Sequence, residues 1–173
     1  MRVHIWFVTA LLAAMAPMPL AMANEPGLSA QEVVRRYSKS VACQIYEGSP
    51  SQYVTVQLEP GTDTGFGAVW LVGWTGDLGC MGGNGTQLVQ MNLVMQNGFS
   101  SRTVSPVVVD AAPMPNLVMG SLLGLSFRDG VVTIRGTFGR QTLGNLQQVT
   151  ERYRWLGPWG SGPRFKRLSI GRP

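Results

Sequence analysis

Near the C-terminus, five cations and two tryptophans crowd into a short stretch: Arg152, Arg154, Trp155, Trp159, Arg164, Lys166 and Arg167. Guanidinium and ammonium groups take carboxylates, sulfates and phosphates through charge-assisted hydrogen bonds. Tryptophan and arginine are also the side chains that carry most energy at protein interfaces. These seven are the candidate binding residues, and the chemistry they offer is capture of an anion. The plain alternative is that the cations alternate along the solvent side of edge strands, where they discourage aggregation.

The charge distribution reinforces the first reading. Residues 24–127 hold four basic side chains (Arg35, Arg36, Lys39 and Arg102) against seven acidic ones. Residues 128–173 hold nine basic side chains against Asp129 and Glu151. Such an imbalance favours an anionic partner for the C-terminal third.

An export signal bears on which partner. Arg2 precedes an apolar run from Ile5 to Ala16, prolines follow at 17 and 19, and the segment closes on Ala21-Met22-Ala23. A basic start, an apolar middle and an Ala-x-Ala end are the marks of a cleaved secretory signal. Residues 1–23 are therefore expected to be removed, leaving 24–173 as one domain, periplasmic or secreted, with no membrane span. An exported chain meets nucleic acid less often than acidic proteins or acidic glycans, so those two partners rank first.

Counting removes much catalytic chemistry. The one histidine is His4, inside the signal, so the exported chain lacks the base of Ser-His-Asp and Cys-His catalysis and the commonest metal ligand. Cys43 and Cys80 are the only cysteines. With no histidine to complete a zinc site, an even pair outside the cytosol reads as a disulfide. The segment Gly76 to Thr86 contains five glycines and one carboxylate, Asp77. It lacks the Gly-Lys-Ser/Thr ending of a phosphate loop, and one carboxylate is too few for a calcium site. It reads as a long hairpin loop, and neither a metal nor a cofactor is expected.

Carboxylate pairs can hydrolyse glycosides without histidine. Asp63 and Asp77, however, lie at opposite ends of a predicted strand, and Glu47 and Glu59 have no evident partner. A binding module, of the inhibitor or immunity type, is thus expected rather than an enzyme. A histidine-free hydrolase using Asp63, Asp77 or Glu47 is the alternative, and a self-assembling structural component of the envelope is a third.

The elements that must position these residues are legible from periodicity. Ser29 and Glu32 form the ends of a capping box, with Leu28 placed to staple on Val33. Val33, Val34, Tyr37, Val41 and Ile45 fall on one helical face, so a helix is expected to run to about Tyr46, with Gly48 as its terminator. Beyond Pro50 the period becomes two, with strands at 53–58, 66–75, 86–96, 103–109, 122–128, 131–138, 148–156 and 164–170. The strand 66–75 is apolar on both faces and so should be covered on both. Its aromatics Phe66, Trp70 and Trp74 fit a buried stripe better than a sugar-binding ladder. Asp129-Gly130 marks a two-residue hairpin turn. The expected fold is α+β: one N-terminal helix packed on a curved, mainly antiparallel sheet of about six to seven strands.

Overall fold

The computed structural model describes residues 28–45, 53–62, 66–78, 88–96, 106–111, 117, 119–138, 146–158 and 164–171. Among these residues one helix, α1 (Ala30–Val41), precedes nine strands: β1 (Gln44–Ile45), β2 (Tyr53–Glu59), β3 (Val69–Asp77), β4 (Leu88–Gln96), β5 (Pro106–Ala111), β6 (Ser121–Arg128), β7 (Val131–Phe138), β8 (Gln147–Trp155) and β9 (Phe165–Gly171). All pairings are antiparallel. The fold is α+β, with the N-terminal helix packed against antiparallel strands. The strands are more numerous than the expected six or seven and divide into two sheets. In the first, β3 pairs β1, β2 and β4, and β4 pairs β5; the second runs β6-β7-β8-β9.

The helix starts where the sequence indicates. Ser29 caps it, its Oγ accepting from the Glu32 N–H at 3.2 Å. The Glu32 carboxylate does not return to the cap. It accepts from Arg35 Nε at 2.7 Å and Arg36 Nε at 2.9 Å, which hold its pKa down at about 2. The helix ends at Val41, not near Tyr46, because the next residues join the sheet. The Cys43 N–H donates to the Asp77 carbonyl at 2.9 Å, and Gln44 and Ile45 pair with Asp77 and Gly76. An edge position on β3 competes successfully with another helical turn.

Strand β3 is the middle of the molecule. One face carries Trp70, Val72 and Trp74 against Ala30 and Val34 of the helix, together with Tyr53 and Val94. Ser38 and Tyr53 share a 2.6 Å hydroxyl hydrogen bond beneath the helix, and Trp74 Nε1 donates to Asn92 Oδ1 at 2.7 Å. These polar tips thus have partners, which offsets the cost of burying them, whereas Thr55 Oγ1, on the β2 residue paired with Val72, is buried without one. The aromatic stripe is core: Trp74 is buried and Trp70 packs against the same cluster. Phe66 lies outside the strand, half-buried in the preceding turn.

The opposite face of β3 presents Val69 and Leu71 to the second sheet. There they join Leu58, Val89, Met91, Leu93 and Met95 from the first sheet, and Leu122, Val132, Ile134, Val149, Tyr153, Trp155 and Phe165 from the second. Close approach requires glycine in two places. A Cβ on Gly73 would lie 2.7 Å from Leu122 Cδ2, and one on Gly136 would lie 2.5 Å from the Ser121 carbonyl oxygen and 2.6 Å from Met119 Sδ. The Val89 N–H donates to the Met119 carbonyl at 2.9 Å, tying the sheets together just before β6.

Asp129 and Gly130 both take positive φ, 52° and 73°, between Arg128 and Val131. That is the paired left-handed geometry of a two-residue hairpin turn, which matches the twist of the flanking strands. It sets the β6–β7 register, and with it which residues face outward.

Candidate functional site

The second sheet has an inner face in the core and an outer face in solvent. Alternation along each strand decides which side chain goes where, and the registers align the outward residues into three cross-strand rows. The first row is Arg128, Val131, Arg154 and Lys166; the second is Ser126, Thr133, Arg152 and Ser169; the third is Gly124, Arg135, Thr150 and Gly171. Arg128, Arg135, Arg152, Arg154 and Lys166 are all exposed. Five cations therefore share one face of a four-stranded sheet.

Small residues leave room for these side chains to lie across the sheet. The Arg135 guanidinium passes over Gly124, its Nη2 3.1 Å from where a Cβ would stand, and Arg154 Nη1 reaches toward Gly130 at 3.8 Å on the same measure. Val131 is buried although it belongs to neither core cluster. In its row it lies between Arg128 and Arg154, whose aliphatic stems can cover it while the charged ends stay in water.

Among the described residues the acid beside this face is Asp129, in the hairpin turn, 3.6 Å from Arg128 Nε. Both side chains are about nine-tenths exposed, so the pair is largely screened and worth little. Arg154 stands directly opposite Lys166, and like charges in that position repel across the strands.

Of the seven residues singled out from the sequence, Arg152, Arg154 and Lys166 come together here. Arg164 is half-exposed just before β9. Trp155 points into the core instead: 8% exposed, it packs on Phe165 with ring centroids 5.0 Å apart. Its Nε1 donates to Glu59 Oε1 at 2.6 Å, linking the far end of β2 to the second sheet. Alternation puts it with Val149 and Tyr153, so it cannot share a face with Arg152 and Arg154. Trp159 lies outside the described residues. Arg167 also faces inward, opposite Tyr153, with Nη2 3.2 Å from Glu151 Oε2.

Glu151 is the one acid on the inner face of β8. Its carboxylate, 2% exposed, accepts the Tyr153 hydroxyl at 2.5 Å as well as the Arg167 contact. Burial, and then the hydrogen bond to Glu151, push the Tyr153 phenol well above its ordinary pKa of 10. The cluster is closed between strands and neutralises itself, which is the arrangement of a structural ion pair.

Arg128 and Arg135 are the members of the face that the reading of the C-terminal cluster left out. The Asp129-Gly130 turn was the available signal, since it makes Arg128 and Arg135 outward residues of one hairpin. Their alignment with Arg152 and Arg154 depends on the β7–β8 register, which no short turn specifies.

Among the described residues, the alternative carboxylates do not come together. Asp77 is buried at the end of β3, and Glu59 is engaged by Trp155. Glu47 and Asp63 lie outside the described residues, as do most of the glycine-rich loop and the expected N-terminal signal. Cys80 lies there too, and with it the expected Cys43–Cys80 bridge; no free cysteine occurs among the described residues. No group of metal-binding side chains occurs among the described residues. No helix among them is long and apolar enough to cross a membrane. The chain matches no protein-family model, and comparison with curated proteins and with solved structures returned no match.

Proposed function

We propose that the protein is an exported binding module that grips an anionic partner with the cationic outer face of its second sheet. The observation that carries this reading is where the cations stand. Arginines placed only to protect a sheet from aggregation belong on edge strands. Arg135, Arg152 and Arg154 are on β7 and β8, the two interior strands, and Arg154 faces Lys166 across the ladder. The free protein gains nothing from that repulsion, whereas a bound anion between the two side chains would relieve it.

The test is capture from envelope and secreted fractions by tagged residues 24–173, at low and high salt. The double variant Arg152→Glu, Arg154→Glu runs alongside, and circular dichroism and thermal melts check its fold. The expected result is a partner held by the parent protein at low salt, released at high salt, and not held by the folded variant. Equal capture by parent and variant would remove the face from consideration.

Export itself rests on the N-terminal pattern, and the disulfide belongs to the same reading. The hydrogen bond from Cys43 to Asp77 brings Cys43 within three residues of Cys80 along the chain. Intact mass after alkylation, with and without prior reduction, should show both thiols blocked until reduction; alkylation without reductant would remove the bridge.

A further inference from the structure

We infer that the anion taken by this face is an extended acidic polysaccharide, a glycan bearing carboxylate or sulfate groups, rather than a folded acidic protein or a nucleic acid. The inference rests on the binding reading above and narrows its partner.

Protein interfaces of appreciable affinity centre on a buried aromatic or aliphatic anchor, with charge at the rim. The three outer rows contain no such anchor, and the exposed leucines that the registers skip, Leu123 and Leu168, stand at bulges of the edge strands β6 and β9 and not between the cations of β7 and β8. Between the cations stand Gly124, Ser126, Thr133, Thr150, Ser169 and Gly171, and the one apolar member, Val131, is already buried. Trp155, which would have served as an anchor, is in the core. The same lack argues against single-stranded nucleic acid, whose bases are held by stacking on aromatic side chains.

What the rows do offer is charge repeated in two directions. Arg152 and Arg154 are two residues apart on β8, about 7 Å along the strand. Arg154 and Lys166 are neighbours across it, about 5 Å apart at the backbone. Hydroxyls of Ser126, Thr133, Thr150 and Ser169 lie among them and suit the hydroxyl groups of a sugar chain. A flexible polyanion with a charge on each repeat can lie over such a face and contact several cations at once. Each contact is individually weak, and the chain gains from their number.

The experiment measures binding of residues 24–173 to polygalacturonate and heparin, with neutral dextran, polyglutamate and single-stranded oligothymidylate as comparison probes, at low and physiological salt. Two triple variants remove equal charge from opposite sides of the molecule. One is Arg135→Gln, Arg152→Gln, Arg154→Gln on the face; the other is Arg35→Gln, Arg36→Gln, Lys39→Gln on the helix. The expected result is binding to at least one acidic glycan, strengthening with its length and falling with salt. The face variant should lose tenfold or more, since neutralising one exposed contact costs about two- to fivefold. The helix variant should stay within about twofold, and both should melt like the parent. Equal losses in the two variants would show attraction by net charge alone and overturn the inference. Tighter binding of oligothymidylate or polyglutamate than of either glycan would overturn the glycan while leaving the cationic face standing. Binding to none of the charged probes would remove the glycan, and salt-sensitive capture from envelope fractions would then decide whether the face itself survives.

Discussion

Replacing Glu151 by methionine should be among the most damaging single changes in the second sheet, and the structure sets its size. The carboxylate is 2% exposed and accepts both the Tyr153 hydroxyl and the Arg167 guanidinium. Removing one partner of a fully buried ion pair costs about 3–5 kcal/mol, because the other charge stays buried without compensation. Arg167 keeps a quarter of its side chain in water, so that part should be reduced to about 2 kcal/mol by solvent screening. Withdrawing an acceptor from the buried Tyr153 hydroxyl adds about 1 kcal/mol. The expected loss is therefore about 3 kcal/mol, a large part of the 5–15 kcal/mol typical of a domain. Glu151→Gln, which keeps an acceptor for Tyr153, should cost roughly half as much. The double variant Glu151→Met, Arg167→Met should recover most of the loss, because well-packed apolar residues often replace a buried pair without penalty. Equilibrium unfolding in urea, followed by tryptophan fluorescence, measures the parent, these three variants and the single variant Arg167→Met, which completes the cycle. If the double variant is as unstable as the two single losses added together, Glu151 and Arg167 are not coupled and the reasoning fails.

Two further perturbations test the packing. An alanine normally stabilises a strand relative to glycine, yet Gly136→Ala should destabilise by about 1–3 kcal/mol through overpacking, since its Cβ meets the Ser121 backbone carbonyl. Gly73→Ala should cost less, because it meets the movable ends of Leu122 and Met91; the reverse order in urea unfolding would contradict this account of the sheet contact. Stability should also fall in base. Tyr153 has its folded pKa raised above the unfolded value of 10, so the native state holds the proton longer. Its contribution is complete below pH 10 and is lost as pH rises beyond it, at up to about 1.4 kcal/mol per pH unit. Comparing the parent with Tyr153→Phe between pH 9 and pH 11 isolates that loss, and identical slopes would count against it.

Much of the fold is a local matter. The capped start at Ser29, the two-sided apolar pattern of β3, the alternating strands and the Asp129-Gly130 turn each follow from propensity or period within ten or so residues. These are interactions a short stretch of chain makes with itself. The helix end is different. Val41 and Ile45 share a helical face, yet Gln44 and Ile45 go to the edge of β3, more than thirty residues along, and no local pattern records that competition.

The candidate face divides in the same way. That Arg152 and Arg154 point one way and Trp155 the other is already contained in strict alternation, since a strand turns successive side chains to opposite faces. The sequence alone determined the charge imbalance, the lack of histidine beyond His4, the helix-then-strands order and the outward set on each strand. Tertiary structure decided that the strands split into two sheets, and that Arg128, Arg135, Arg152, Arg154 and Lys166 meet on one face. It also decided that Trp155 reaches Glu59 and that Glu151 finds Arg167. The physical reason is register. A side chain's direction depends on its own backbone, whereas its neighbours across the sheet depend on which residues of a distant strand pair with it, and that is settled by burial of the whole inner face at once.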